Sequence, residues 1–251
     1  VIQLSGRFGF QQSTRDVKLE GGATVSGVST MAITAVGADG FIGTGAGTDD
    51  ALGASVTGLD ATLVINWDSS GSTDRRWLTL AGSASTGGLV GTEGFGLTAT
   101  ASNLSLKLNQ ALDGDAVIDW TATGWTPTAF NEAAFASDLL SVAGTMDLAI
   151  DEVASINGSV EFRQEAITLS HQGESIAADA LYLGIADASA TLDEALLGDI
   201  GSVTLGGMDA AVALIGTQEA ADPRRWLALD AEADSLTGTL DLGLDALGDL
   251  T

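Results

Sequence analysis

The sequence predicts an all-β protein, an elongated tandem-repeat architecture in which bent strands build a two-faced core. Three observations lead there. Apolar and polar residues alternate with period two over long stretches, the periodicity of half-buried strands. The chain resembles itself at an offset of about 150 residues. Glycine contributes 33 residues and proline only 2, so glycine supplies the turns, and with 5% aromatic residues the core must be filled by small and branched side chains.

The alternation is clear in stretches such as LTATASNLSLKLN (97–109), and threonine, valine, leucine and isoleucine at such positions suit a pleated, half-buried surface. Self-similarity then organises the chain. Arg75-Arg76-Trp77-Leu78 recurs as Arg224-Arg225-Trp226-Leu227, and GLDATLVI (58–65) lies over GMDAAVAL (207–214), both at an offset of 149. LSGRFGFQQ (4–12) lies over INGSVEFRQ (156–164) at an offset of 152, as expected where loops change length and strands do not. The repeat reading divides the chain into copy one, 1–152, and an incomplete copy two, 153–251.

Within several strands the apolar phase flips. Val56 is followed by Leu59, Ala61 and Leu63; in the partner copy Val203 and Leu205 are followed by Met208 and Ala210. Similar flips follow Ala101 and fall between Ala233 and Leu236. A slip of one residue moves a side chain to the other face, so each flip marks a bulge or corner at mid-strand. A folded antiparallel meander and a parallel β-solenoid with corners both satisfy this. Uneven spacing between apolar legs favours the meander, because hairpins tolerate loops of any length. About eight legs per copy, one of them near residue 116, give an expected axial repeat of roughly 40 Å. One short helix is expected over PTAFNEAAFASDLL (127–140), with Pro127 at its start.

Nine basic residues stand against 34 acidic ones, a formal charge of −25. That balance speaks against nucleic acid, which is held by clustered cations, and against anionic membrane surfaces. With 45% apolar residues the chain is too hydrophobic for an acidic disordered tail. Without cysteine, disulfides and thiolate metal sites are excluded. No apolar run reaches the ~20 residues of a spanning helix, so membrane insertion is not expected. Val1 and the patterned LGDLT ending suggest a chain cut from something longer.

The order LSGRFGFQQ (4–12), AVGADGFIGTGAGTDDALG (35–53) and GLVGTEGFGLTAT (88–100) resembles the tandem β-rich repeats of giant bacterial extracellular and cell-surface proteins, which are grouped with large adhesins and haemolysin-type exoproteins. The resemblance implies a long secreted protein acting in adhesion, matrix or surface layers, and it brings no catalytic residues. Copy two departs from it where ADASATLDEALLG (186–198) replaces the glycine-rich segment.

Candidate sites are few. GTGAGTDD (43–50) lacks the lysine and spacing of a phosphate loop, and Asp49 and Asp50 would repel an anion, which leaves a solvated turn. Asp49, Asp50, Asp113 and Asp115 are the candidate Ca²⁺ ligands, hard oxygens on acidic turns; Ca²⁺ is the one cofactor suggested, against the plainer reading of a solvated acidic surface. His171 is the only histidine, and no nucleophile elbow accompanies it. Trp67, Trp77, Trp120, Trp125 and Trp226 could stack on sugars, but the repeat equivalence of Trp77 and Trp226 favours a structural role. The repeated Arg75, Arg76, Trp77 and Arg224, Arg225, Trp226 read either as an interface latch onto a neighbour's acidic face or as an intramolecular clamp, guanidinium on indole or on aspartate; the clamp is preferred.

The expected function is therefore structural and non-enzymatic: a repeat that pairs with neighbouring repeats or with copies of itself into a rod or filament at the cell surface. A lipid-handling β-groove is the alternative, recognisable by an exposed apolar stripe; a carbohydrate-active enzyme is the third.

Overall fold

The structure, a computed structural model, describes residues 1–71, 74–113, 116–125, 127–151, 153–171, 173–193, 201–218 and 224–238. Ten long strands form one open antiparallel sheet in sequence order: β1 (Ile2–Lys18), β2 (Thr24–Thr44), β3 (Leu52–Asp68), β4 (Arg75–Val90), β5 (Leu97–Ala111), β6 (Leu139–Ile150), β7 (Ala154–His171), β8 (Glu174–Leu192), β9 (Val203–Thr217) and β10 (Arg225–Gly238). The meander is thus the architecture, and the parallel solenoid is excluded.

The phase flips fall on irregularities of the ladder. Between β2 and β3 the register shifts twice, around Ala38, with Gly37 at φ 56° and Gly58 at φ 63°. Between β8 and β9 it shifts twice around Ala188, with Asp187 at φ 51° and Gly207 at φ 62°. In β5 Asn103 takes φ 52°, where β5 slips against β6 between Ser102 and Ser105. Asparagine and aspartate are the non-glycine residues that tolerate this left-handed conformation best. The same local geometry therefore recurs 149–150 residues further along the chain.

β6 shows what the bulges do. It pairs with β7 without a register shift, so simple alternation puts Leu140, Val142, Met146, Leu148 and Ile150 on one face. Its partners on β5 are Leu108 and Leu106 below the bulge and Ala101, Ala99 and Leu97 above it. The inserted residue absorbs the change of parity, and the apolar side chains stay on one side of the sheet. Rows of paired residues carry this face across all ten strands, from Phe10–Ile33–Leu63–Leu80–Leu108–Leu140 through Gln164, the polar member of the row, to Leu181–Leu214–Leu227.

The opposite face holds the core. The described residues between β5 and β6 (112–113, 116–125 and 127–138) cross back over the sheet to the end of β1 and lead into β6. The crossing is anchored at Leu19–Ile118, where the Asp119 amide donates to the Lys18 carbonyl. Beneath it lie Val17, Val28, Val64 and Trp77; from above come Ile118, Trp120, Phe130 and Phe135. The expected leg near residue 116 is thus part of this crossing, not of a strand. The expected helix over 127–140 is two 3-10 turns, Thr128–Phe130 and Ala133–Ala136, followed by the start of β6 at Leu139. Phe130 and Phe135, five residues apart, both point into the core, which a single α-helical stripe of i, i+3, i+4 spacing does not allow.

Candidate functional site

The Arg-Arg-Trp elements open β4 and β10. Residues two apart on a strand share a face, and Arg75 accordingly lies over Trp77, 5.7 Å from the ring centre, as Arg224 lies over Trp226 at 5.9 Å. Each first arginine also meets a carboxylate: Arg75 pairs with Asp68 at 2.5 Å and Arg224 with Glu174 at 3.0 Å. Arg76 forks onto Asp113 with two hydrogen bonds, 3.2 and 2.9 Å, while Arg225 is exposed. The charges of Arg75, Arg76 and Arg224 are engaged within the chain.

The tryptophans differ. Trp77 is fully buried under the crossing segment and donates its indole N–H to the Ala116 carbonyl at 3.0 Å. Trp226 is half-buried, edge-on to His171 at 5.8 Å, the last residue of β7. Trp120 is buried too and donates to the Thr79 hydroxyl, so neither Trp77 nor Trp120 presents a ring to a sugar. Trp125 carries Arg15 on its face at 3.7 Å.

A buried polar network joins sheet and crossing segment. Thr79 donates to the Asn109 side-chain oxygen at 3.0 Å, and the Asn109 amide nitrogen donates to the carbonyls of Ile118, Phe135 and Ser137. Asn109 is thus the hub that fixes the return of 112–138. Sequence reasoning missed it, because a lone asparagine in an alternating strand carries no mark of its partners.

Electrostatics follow the same layout. Hydrogen bonds from the Ser70 hydroxyl and amide, then from Arg75, hold the Asp68 carboxyl down at about 2. The Arg76 hydrogen bond lowers Asp113. Burial pushes Asp138 up, with Asp179 adding repulsion, and burial likewise raises Glu20, helped by Asp138 and Asp119.

Among the described candidate Ca²⁺ ligands, Asp49 and Asp50 are not grouped with Asp113. Asp49 and Asp50 lie in the exposed turn after β2, Asp113 is held by Arg76, and Asp115 lies outside the described residues. Among the described residues no group of three or more histidine, aspartate or glutamate side chains is arranged to hold a metal ion. No described helix is long and apolar enough to cross a membrane.

A groove of about 600 Å³ opens beside the bulges, on the core-bearing side, lined by residues that include Thr145, Ser159, Glu161 and Asp230 together with Val160, Ile185 and Ala211. Its counterpart on the first strands is bordered by Glu132 of the crossing segment and includes Thr34, Asp60 and Thr62. At both places an aspartate caps the bulge: the Gly37 amide donates to Asp60 at 2.8 Å and the Asp187 amide to Asp209 at 2.9 Å.

Comparison of the chain with protein-family models, with curated proteins and with solved structures gives no match in any of the three.

Proposed function

We propose that the chain is a structural repeat module of a long extracellular or cell-surface protein, extended by strand pairing from one repeat to the next, with no turnover chemistry. The observation that supports this most directly is the ladder between β6 and β7. There the first half of the chain passes to the second through unbroken pairing of Leu139–Ile150 with Ala154–Glu165. That junction is as regular as any ladder within a half. β7 stands to β6 as β1 would stand to a preceding repeat, and β1 has an open edge.

From β1 to its counterpart β7 there are six strands, not the eight legs of the sequence reading. At ~4.8 Å per strand the axial repeat becomes roughly 29 Å. Electron micrographs of native material containing this chain test the proposal: rods or filaments with that axial repeat support it, and compact particles without one overturn it.

The lipid-handling alternative draws on the uncovered apolar face. Against it, the groove opens on the other side of the sheet, where Glu161, Asp209, Asp230 and Glu232 stand among small apolar residues at its lining.

A further inference from the structure

The apolar face described above is uncovered. Leu183 and Leu214, both on inner strands, remain 43% and 51% exposed. Ten strands at ~4.8 Å and about six rows of side chains at ~6.8 Å give a surface of roughly 48 by 40 Å, near 1,900 Å². Soluble monomers rarely leave more than ~600 Å² of contiguous apolar surface open, and a stable dimer needs only about 800 Å² per partner. From the row of Leu80 to the row of Leu148 the face carries no charged side chain among the described residues, so the strong negative charge of the chain lies elsewhere.

We infer that this face packs against the same face of a second copy, making a two-sheet sandwich in which the polar sides and their crossing segments face outward. The inference rests on the structural reading above and adds to it a partner and a geometry: each repeat is paired across the rod as well as along it. Self-complementary apolar sheet faces stack about 10 Å apart with strands aligned to within about 30°. The area suffices for a stable pair, and the groove opens on the opposite side of the sheet. A second copy needs no feature beyond those rows.

Sedimentation of the 251-residue chain tests this. The expected result is twice the chain mass, falling to a single mass in Leu80→Asp/Leu183→Asp, while Thr100→Asp on the other face leaves the dimer intact. The absence of cysteine allows a second readout that keeps the core packing: Leu108→Cys should be shielded from a bulky thiol reagent and Thr100→Cys should react freely. A monomer at micromolar concentration overturns the sandwich, as does a monomer that copurifies with lipid, which would assign the face to acyl chains. A dimer indifferent to Leu80→Asp/Leu183→Asp and with Leu108→Cys freely reactive would also overturn it, and would leave edge-to-edge pairing in place.

Discussion

Gly6 of β1 faces Ala38 of β2 so closely that a methyl group on Gly6 would lie 2.7 Å from the Ala38 Cβ. Gly158 of β7 meets Ala188 of β8 in the same way, at 2.6 Å. Ala38 and Ala188 are both fully buried, and each sits where the neighbouring ladder shifts register. The close approach is part of how each ladder shifts register.

Gly6→Ala should therefore destabilise the fold by about 1–3 kcal/mol, because the contact is with backbone and cannot be relieved by a rotamer, and φ at Gly6 is 145°. Gly94→Ala, where an added Cβ meets nothing, should change stability by less than ~0.5 kcal/mol. Urea denaturation of the two variants makes the comparison.

The two repeated tryptophans should part company under mutation. Trp77→Ala removes a wholly buried indole and should cost about 3–5 kcal/mol. Trp226→Ala, at a half-buried position, should cost roughly 1 kcal/mol. Equal losses would mean that the crossing segment contributes nothing to the Trp77 site.

Asn109→Ala removes the acceptor of the Thr79 hydroxyl and the donor to the Ile118, Phe135 and Ser137 carbonyls, while Trp120 still bonds Thr79 and Phe135, for a loss of about 1–3 kcal/mol. Hydrogen exchange should show amides of residues 116–138 losing protection before those of β7 and β8.

Asp68 and Asp138 should respond to pH in opposite senses. Asp68 titrates lower folded than unfolded, so its contribution is complete above the ordinary carboxylate range and lost as pH falls through about 2. The thermal penalty of Asp68→Asn should accordingly be largest near neutrality and vanish in strong acid. Asp138 titrates higher when folded, so its charged form opposes folding as pH rises through that raised value. Asp138→Asn should raise Tm at neutral pH, with the gain shrinking on acidification; thermal melts across pH measure both.

Much of the sheet was legible in the sequence because strands and bulges write themselves in parity. The flips after Val56 and Leu205 locate Gly58 and Gly207, and the flip after Ala101 locates Asn103. β6 hides nothing, since its ladder with β7 runs unbroken from Leu139 to Ile150. The crossing segment was illegible for the converse reason. Its side chains obey no period, and what fixes it is through-space: Asn109 reaching Phe135, Trp120 reaching Thr79, Leu19 meeting Ile118. The Arg-Trp pairs stood out by repetition, but Asp68 and Glu174, which hold their arginines, come from other strands and carry no mark in the pattern.

The crossing segment also has a mechanical consequence. In a meander, tension along the sheet axis loads hydrogen bonds one ladder at a time, as in a zipper, and strands peel away singly at low force. Residues 112–138 tie the end of β1 to the start of β6 across the strands between, as a strap ties a folded bellows. Under load, β1 to β6 should therefore hold and then yield together, releasing a long stretch of chain in one event, whereas strands without such a strap would pay out gradually.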